Sequence, residues 1–502
     1  MNNKNYKSLN KILAASMLAA IILPLFFLLY STVGSGSSSE TIINSRRILL
    51  LAKSIALGLN VSLVSFAISF FFSVFVINHK KKNLYFLTCM ILTFYLIAPY
   101  IHALSWLRIL SVGSYSYLKT LSVLSMYYIP LNTIVILMGF NSIDKDYIKM
   151  AKVYKNDNVI LYRIILGMLK PYALSVISLV FIFVVSDFSV PSLFQFKTYS
   201  FEIFTVYTSG SSYKELILLS MPLFLVNLIA FIILFINSGK MSYFNSGASI
   251  VRNISLKLNG FNKVGTLLSA LILLILSSII FSNIFQIFDL KLLFNTLVEN
   301  AGEISYSMKI SLLSTSIATI AVFFIINSYD NTLIKFIILS PLLFPSALMG
   351  ISIIGFFINF KFYGHLLNND ILMVYSNTVR SIPIIYFVLK GSLDTQNKNY
   401  LDCGKLYQKN TLHRLMNIDI PHFAVPIAIA LYVGFSNVFG EISSSILLIP
   451  PGKQLLSLKI YSYLHYGSGS KITALGFIII VFFTIITLGI LMFINRKRRF
   501  FR

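Results

Sequence analysis

The chain has 502 residues, of which 57% are hydrophobic and 11% are charged, and its mean hydropathy is +0.82. These values exclude a soluble globular protein and indicate an integral membrane protein. The net charge of +25 does not indicate nucleic-acid binding, because 27 of the 41 Lys and Arg residues fall in segments that lie inside when the amino terminus is cytoplasmic.

Apolar stretches of about 20 residues recur along the chain, and each is long enough to cross the hydrocarbon layer as a helix. They lack the two-residue alternation of membrane β-strands. The twelve predicted spans are residues 12–30, 48–77, 84–105, 118–139, 171–192, 216–237, 264–284, 306–327, 336–358, 371–391, 424–446 and 472–494. We therefore expect an all-α membrane protein with twelve transmembrane helices and both termini in the cytoplasm.

The first span could instead be a cleaved signal peptide, since three lysines precede it and small residues follow it. Its removal would leave eleven spans and would contradict the distribution of positive charge. A retained first helix is the better interpretation.

Two similar tracts lie 253 residues apart, KDYIKMAKVY at Lys145 to Tyr154 and KNYLDCGKLY at Lys398 to Tyr407. Other matched pairs follow in the same order, such as Phe344-Pro345 after Ala98-Pro99. Six spans per copy place both copies in the same orientation, so two parallel six-helix repeats are predicted. The expected division is a first repeat over 1–237, a cytoplasmic linker over 238–263 and a second repeat over 264–502.

Both tracts lie in loops expected to be cytoplasmic, and both carry two tyrosines around a small residue at positions i, i+4 and i+7. These residues are Tyr147, Ala151 and Tyr154 in the first tract, and Tyr400, Gly404 and Tyr407 in the second. The spacing predicts one face of a short helix. A helix lying on lipid headgroups would show the same pattern, but its duplication at matched positions favours a docking surface for a partner.

At these tracts the chain resembles the permease subunits of binding-protein-dependent ABC importers. The hallmark of that family is a cytoplasmic segment with E-A-A, three residues, Gly, and a Pro thirteen residues beyond the Gly. The second tract has Asp402 to Gly404 at the first three positions, Gln408 at the Gly position and Pro421 at the matching distance. The first tract keeps Ala151 but has Lys149 at the acidic position.

The resemblance covers essentially the whole chain and is closest to the fused, twelve-span permeases of ferric-iron importers, with thiamine permeases near them. It implies a transmembrane permease of the bacterial cytoplasmic (inner) membrane that forms the translocation pathway. It also implies that the two tracts are coupling helices for two ATP-binding cassette ATPase subunits, and that an extracytoplasmic binding protein delivers the solute. Ferric iron is the cargo it suggests, with thiamine or another small solute as the alternative.

The residues themselves agree with a division of labour between subunits. No G-x-x-x-x-G-K-[ST] phosphate loop occurs, so we expect ATP hydrolysis in a separate subunit and no catalytic residue in this chain. The six histidines and two cysteines are scattered without ligand spacing, so no metal site and no cofactor are expected.

Other transport classes remain open alternatives. A 6+6 secondary transporter would also show parallel halves, but the basic, Gly-Asp-Arg-rich loop expected between its spans two and three is supplied neither by His79 to Asn83 nor by the matching Ser328 to Thr332. A channel or scaffold would not explain the duplicated tract.

Ionisable residues inside a membrane are costly and are usually functional. Asp187 and Glu441 occupy matched positions near the outer ends of the fifth and eleventh spans. They are translocation-pathway candidates, or else hydrogen-bonded carboxylates that fix a helix end. Arg380 has no counterpart in the first repeat and is expected to pair with a carboxylate or a carbonyl.

Overall fold

The computed structural model describes residues 15–23, 44–78, 99–107, 115–143, 145–211, 213–240, 260, 263–269, 271, 290–329, 331–358, 363–395, 420–465 and 469–500. Every regular element within these ranges is helical, and none is a β-strand. Seven of the helices are long and apolar enough to cross a membrane, or eight if one bent pair is a single span. The protein is thus an all-α, multi-pass membrane protein.

The first half contains eight labelled helices: α1 (Ser45–Asn78), α2 (Pro99–Leu107), α3 (Ser116–Ser142), α4 (Lys145–Tyr154), α5 (Asp157–Ser186), α6 (Ser189–Leu193), α7 (Tyr199–Thr208) and α8 (Tyr213–Lys240). Within α5, the turn at Ile160–Ile165 is a π-helix. A separate short helix lies at residues 15–23.

The second half contains ten labelled helices: α9 (Leu290–Glu299), α10 (Ala301–Ser328), α11 (Thr332–Leu339), α12 (Ser346–Phe357), α13 (Tyr363–Asn368), α14 (Ile371–Thr395), α15 (Ile420–Phe439), α16 (Ser445–Leu448), α17 (Leu456–His465) and α18 (Gly469–Phe500). A 3-10 turn at Ser340–Leu343 continues α11.

Each half is built on three mutually packed helices, α1, α3 and α5 in the first and α10, α14 and α15 in the second. Small residues allow the close approach. A Cβ at Gly58 of α1 would lie 2.6 Å from Cγ2 of Val185 in α5, and one at Gly434 of α15 would lie 3.0 Å from Cδ1 of Ile385 in α14. Helix α8 packs against α5 and also against α12, and so joins the two halves.

Several buried polar side chains form hydrogen bonds between these helices. Between α1 and α3, Asn132 donates to Ser65 Oγ at 2.8 Å, and Ser69 donates to the Ile129 carbonyl at 2.9 Å. Such bonds hold neighbouring helices in one register, because hydrocarbon offers these groups no alternative partner.

The predicted span at 336–358 is not a straight helix. Its two helical parts, Thr332–Leu343 and Ser346–Phe357, meet at an angle of 102°. Pro345 has no N–H to donate and forces Phe344 out of the helical region, to φ −84° and ψ 120°. The break therefore places the start of α12 within the packed interior, where Ser346 and Ala347 are buried.

Six predicted spans coincide with long apolar helices, namely α1, α3, α8, α10, α14 and α18. Helix α5 begins earlier than predicted, at Asp157 rather than at residue 171, because the π-helical turn continues it across the loop end. Helix α15 ends at Phe439, before the predicted limit of 446, since the chain leaves the helix just ahead of Glu441. The predicted spans at 12–30, 84–105 and 264–284 fall largely outside the described residues, so twelve spans and two repeats stay predictions.

Candidate functional site

A cavity of about 100 Å³ lies between the two halves of the protein. The first half contributes the end of α5 and Pro99 at the start of α2, and the second half contributes the end of α15 and Ser346 at the start of α12. Broken helix ends from both halves therefore meet at one place. Asp187, Glu441 and Arg380 all line this cavity.

Asp187 follows the last residue of α5 and takes an extended conformation, with φ −84° and ψ 132°. Its Oδ1 accepts hydrogen bonds from the Ser189 amide at 2.9 Å and from the Ser189 hydroxyl at 2.7 Å. The carboxylate thus caps the short helix α6, which begins at Ser189. Its Oδ2 is buried and has no hydrogen-bond partner within the described part of the chain.

Glu441 occupies the corresponding position just beyond α15. Its Oε1 accepts a hydrogen bond from the Ser444 amide at 3.0 Å, as Asp187 does from Ser189. The backbone carbonyls of the two acidic residues are also held alike, because Ser200 donates to that of Asp187 at 3.0 Å and Ser457 donates to that of Glu441 at 3.3 Å.

Arg380, on α14, distinguishes the two carboxylates. Its guanidinium forms an ion pair with Glu441, and the two side chains are only 21% and 14% exposed. It also donates to the hydroxyl of Ser346 at 2.7 Å and to that of Ser444 at 3.3 Å. Arg380 therefore connects α14 with the start of α12 and with the segment that follows α15. Its pairing with a carboxylate is one of the two alternatives expected from the sequence.

No pattern in the sequence pointed to Ser346 or Ser444, because serine is common in the apolar stretches and only the bend at Pro345 brings Ser346 to the guanidinium. Both predicted carboxylates, by contrast, lie on the cavity. Both accept an amide hydrogen bond at a helix end, as expected of carboxylates that fix helix ends, and a role along a pathway stays a prediction.

Helix α4 contains the first of the two repeated tracts. Tyr147 and Tyr154 are 64% and 83% exposed, and Met150 between them is also exposed. Ile148 is buried, and Ala151, one turn further along, is half-buried against the cluster that includes Ile160 of α5. The outward face of α4 is therefore formed by Tyr147, Met150 and Tyr154, at positions i, i+3 and i+7. Ala151 lies toward the protein's own core.

Of the two ion pairs that α4 forms among the described residues, one is internal and one reaches α5. Lys149 pairs with Asp146 at 2.9 Å within the helix, and Lys152 approaches Asp157 at the start of α5 at 3.8 Å. The apolar anchor and the second ion pair connect α4 to the long helix that ends at the cavity. Sequence reasoning missed Met150, although its spacing from the two tyrosines was visible.

The second tract, with Tyr400, Gly404 and Tyr407, lies outside the described residues. In the ranges that the structure does describe, no three His, Cys, Asp or Glu side chains are grouped so as to hold a metal ion. No protein-family model matches the chain, and no curated protein matches it significantly.

Proposed function

We propose that the chain is the permease of an ATP-driven ABC importer of the bacterial cytoplasmic membrane. In this proposal the cavity between the halves belongs to the translocation pathway. Helix α4 and the matching tract at Lys398 to Tyr407 dock two separate ATPase subunits, which hydrolyse the ATP. An extracytoplasmic binding protein delivers the solute.

The observation that carries the proposal is the surface of α4. Tyr147, Met150 and Tyr154 form an exposed row of large side chains, whereas the opposite side of the helix is anchored through Ile148. An exposed aromatic and methionine-rich surface on a fixed helix is typical of a protein interface. Helix α5 then leads from this surface directly to Asp187.

The paired geometry of the two acidic residues supports the proposed repeat. Each lies at the end of a helix from a three-helix core, and each accepts a backbone N–H from a serine two or three residues later. The amide of Tyr199 donates to Ser54 at 2.8 Å, and the amide of Leu456 donates to Ser307 at 2.7 Å, which ties α7 to α1 and α17 to α10 in the same way. A pathway between two equivalent halves would be lined by such matched ends.

The cargo is proposed from the resemblance, with ferric iron first and thiamine or another small solute as the alternative. The cavity fits a cationic cargo better than an anionic one, because it is lined by two carboxylates and one guanidinium. Recognition of the particular solute is assigned to the binding protein.

The test replaces Tyr154 with Glu and measures co-purification of an ATP-binding cassette subunit from native membranes. Burying an unpaired carboxylate in an interface costs several kcal/mol, so the subunit docked on α4 should be lost while the one on the Lys398 to Tyr407 tract stays bound, a loss of about half of the ATPase. Tyr115→Asn is the matched control, since Tyr115 is 75% exposed at the opposite end of α3. Ala151→Glu is a poorer test, because it would also disturb the packing of α4 on its own chain.

An ATPase that co-purifies equally with Tyr154→Glu and with the wild type would contradict docking through α4. If α4 rests on headgroups instead, the substitution would weaken its labelling by a lipid-soluble reagent and leave the ATPase bound.

A further inference from the structure

We infer that the cavity holds a cation-binding subsite at Asp187, and that Glu441 is not an equivalent ligand but a structural partner of Arg380. The inference rests on the proposed function, because it assigns the site to the translocation pathway. The two carboxylates then differ in role: Asp187 binds the cation, and the charge of Glu441 is neutralised by Arg380.

The charge of the cavity lining is the first step. Among the lining residues that the structure describes, only Asp187, Glu441 and Arg380 are charged. The ion pair between Arg380 and Glu441 cancels two of these charges. One negative charge, that of Asp187, is left for whatever enters the cavity.

Helix ends do not oppose this charge. The carboxyl ends of α5 and α15 bring partial negative charge to the cavity, and the amino end of α12 at Ser346 brings partial positive charge. Negative partial charge prevails among these described ends, which favours a cation.

Among the described residues of the first half, no arginine lines the cavity as Arg380 does in the second half. Helices α3 and α14 share an Asn-Thr pair, at 132–133 and 377–378, and in both the threonine donates to the carbonyl four residues earlier, at 2.8 and 2.7 Å. Three residues beyond the asparagine stands Arg380 in α14 but Val135 in α3. The position that pairs Glu441 is apolar in the first half.

The carboxylate of Asp187 is also only half satisfied. Ser189 supplies both hydrogen bonds to Oδ1, while the buried Oδ2 has none among the described residues. A buried carboxylate without a partner is costly and is normally found paired or binding a cation. A cation held by Oδ2 would supply the missing partner, and Tyr127 and Ser186, which both carry hydroxyl groups, line the same cavity.

Terbium is a suitable probe, because Tb³⁺ prefers oxygen ligands, as Ca²⁺ does, and its luminescence is excited through nearby tyrosines. Tyr127 and Tyr128 both line the cavity. The experiment titrates the full chain, purified in nanodiscs without any ATPase, with Tb³⁺ and excites tyrosine. We expect a saturable signal whose apparent Kd rises at least about tenfold in Asp187→Asn.

Two variants make the result specific. Asp187→Glu keeps the charge and should retain saturable binding, which separates loss of the ligand from loss of the fold. Asp370→Asn removes a carboxylate outside the cavity that already has three partners, and it should leave the signal unchanged.

Binding to Asp187→Asn that equals wild-type binding would overturn the inference, and so would an equal loss in Asp370→Asn. Because no ATPase is present, such a failure leaves the docking role of α4 untouched. Intact Tb³⁺ binding together with unchanged ATPase docking in Tyr154→Glu would overturn the proposed docking alone.

Discussion

Replacing Arg380 with methionine is expected to destabilise the protein, because Glu441 would lose its cationic partner inside the cavity. Methionine keeps much of the aliphatic stem and removes only the charge and the donors. The guanidinium holds Glu441, Ser444 and Ser346 together, so the substitution also releases the start of α12 from α14.

Removing one partner of a buried ion pair costs roughly 3–5 kcal/mol. The lower end of that range applies here for two reasons. Glu441 keeps the hydrogen bond from the Ser444 amide at 3.0 Å, and the two charged side chains retain 21% and 14% exposure. We therefore expect a loss of about 3 kcal/mol in the free energy of unfolding.

The measurement is a double-mutant cycle with Arg380→Met, Glu441→Gln and the combined variant, followed by denaturant titration in mixed micelles. In the combined variant no charge is left unpaired, so it should be more stable than the sum of the single losses by about 2 kcal/mol. Additive losses would show that the two side chains do not stabilise each other, and the structural role given to Glu441 would fail.

Three further predictions concern packing, pH and topology. Gly58→Ala should destabilise the α1 and α5 contact by roughly 1–3 kcal/mol, whereas Gly489→Ala, with nothing within 4 Å of the added Cβ, should be neutral or slightly stabilising in the same thermal assay. Partial burial acts to raise the pKa of Asp370, but hydrogen bonds from Lys453 and two other side chains hold that pKa below its ordinary value. The stabilisation that comes from this depressed pKa is present above the unfolded-state pKa of about 3.9 and is lost as pH falls through the lower folded pKa. The difference in stability between the wild type and Asp370→Asn should therefore shrink in that acidic range. A difference that persists there would contradict the prediction. A reporter fused at Asn158 should read cytoplasmic, and an outside reading would overturn the predicted topology.

The helical membrane class and six of the twelve predicted span positions followed from hydropathy alone, because a helix that crosses the hydrocarbon layer needs about 20 predominantly apolar residues. The bend at Pro345 could also have been foreseen, since a proline after an apolar run is a probable helix boundary. Its angle could not, because the angle depends on how α12 packs against α8 and α14.

The candidate site was likewise predictable from the sequence only in part. Matched positions in the sequence predicted Asp187 and Glu441 as a pair, and both line one cavity. The difference between them depends on Arg380 reaching across to another element, which no spacing along the chain reveals. On α4 the tyrosine spacing predicted a face, but the side on which the helix is anchored is decided by Ile148 and its tertiary contacts.

Helix α5 connects α4 with the cavity, so that a rotation at one end displaces the other. It runs 30 residues from Asp157, beside α4, to Ser186, next to the cavity, a length of about 45 Å. If its α4 end pivoted by about 5°, the far end would be displaced by about 4 Å, which exceeds the length of a hydrogen bond. A rotation of this size at the α4 end would therefore change the space around Asp187 by more than the length of a hydrogen bond.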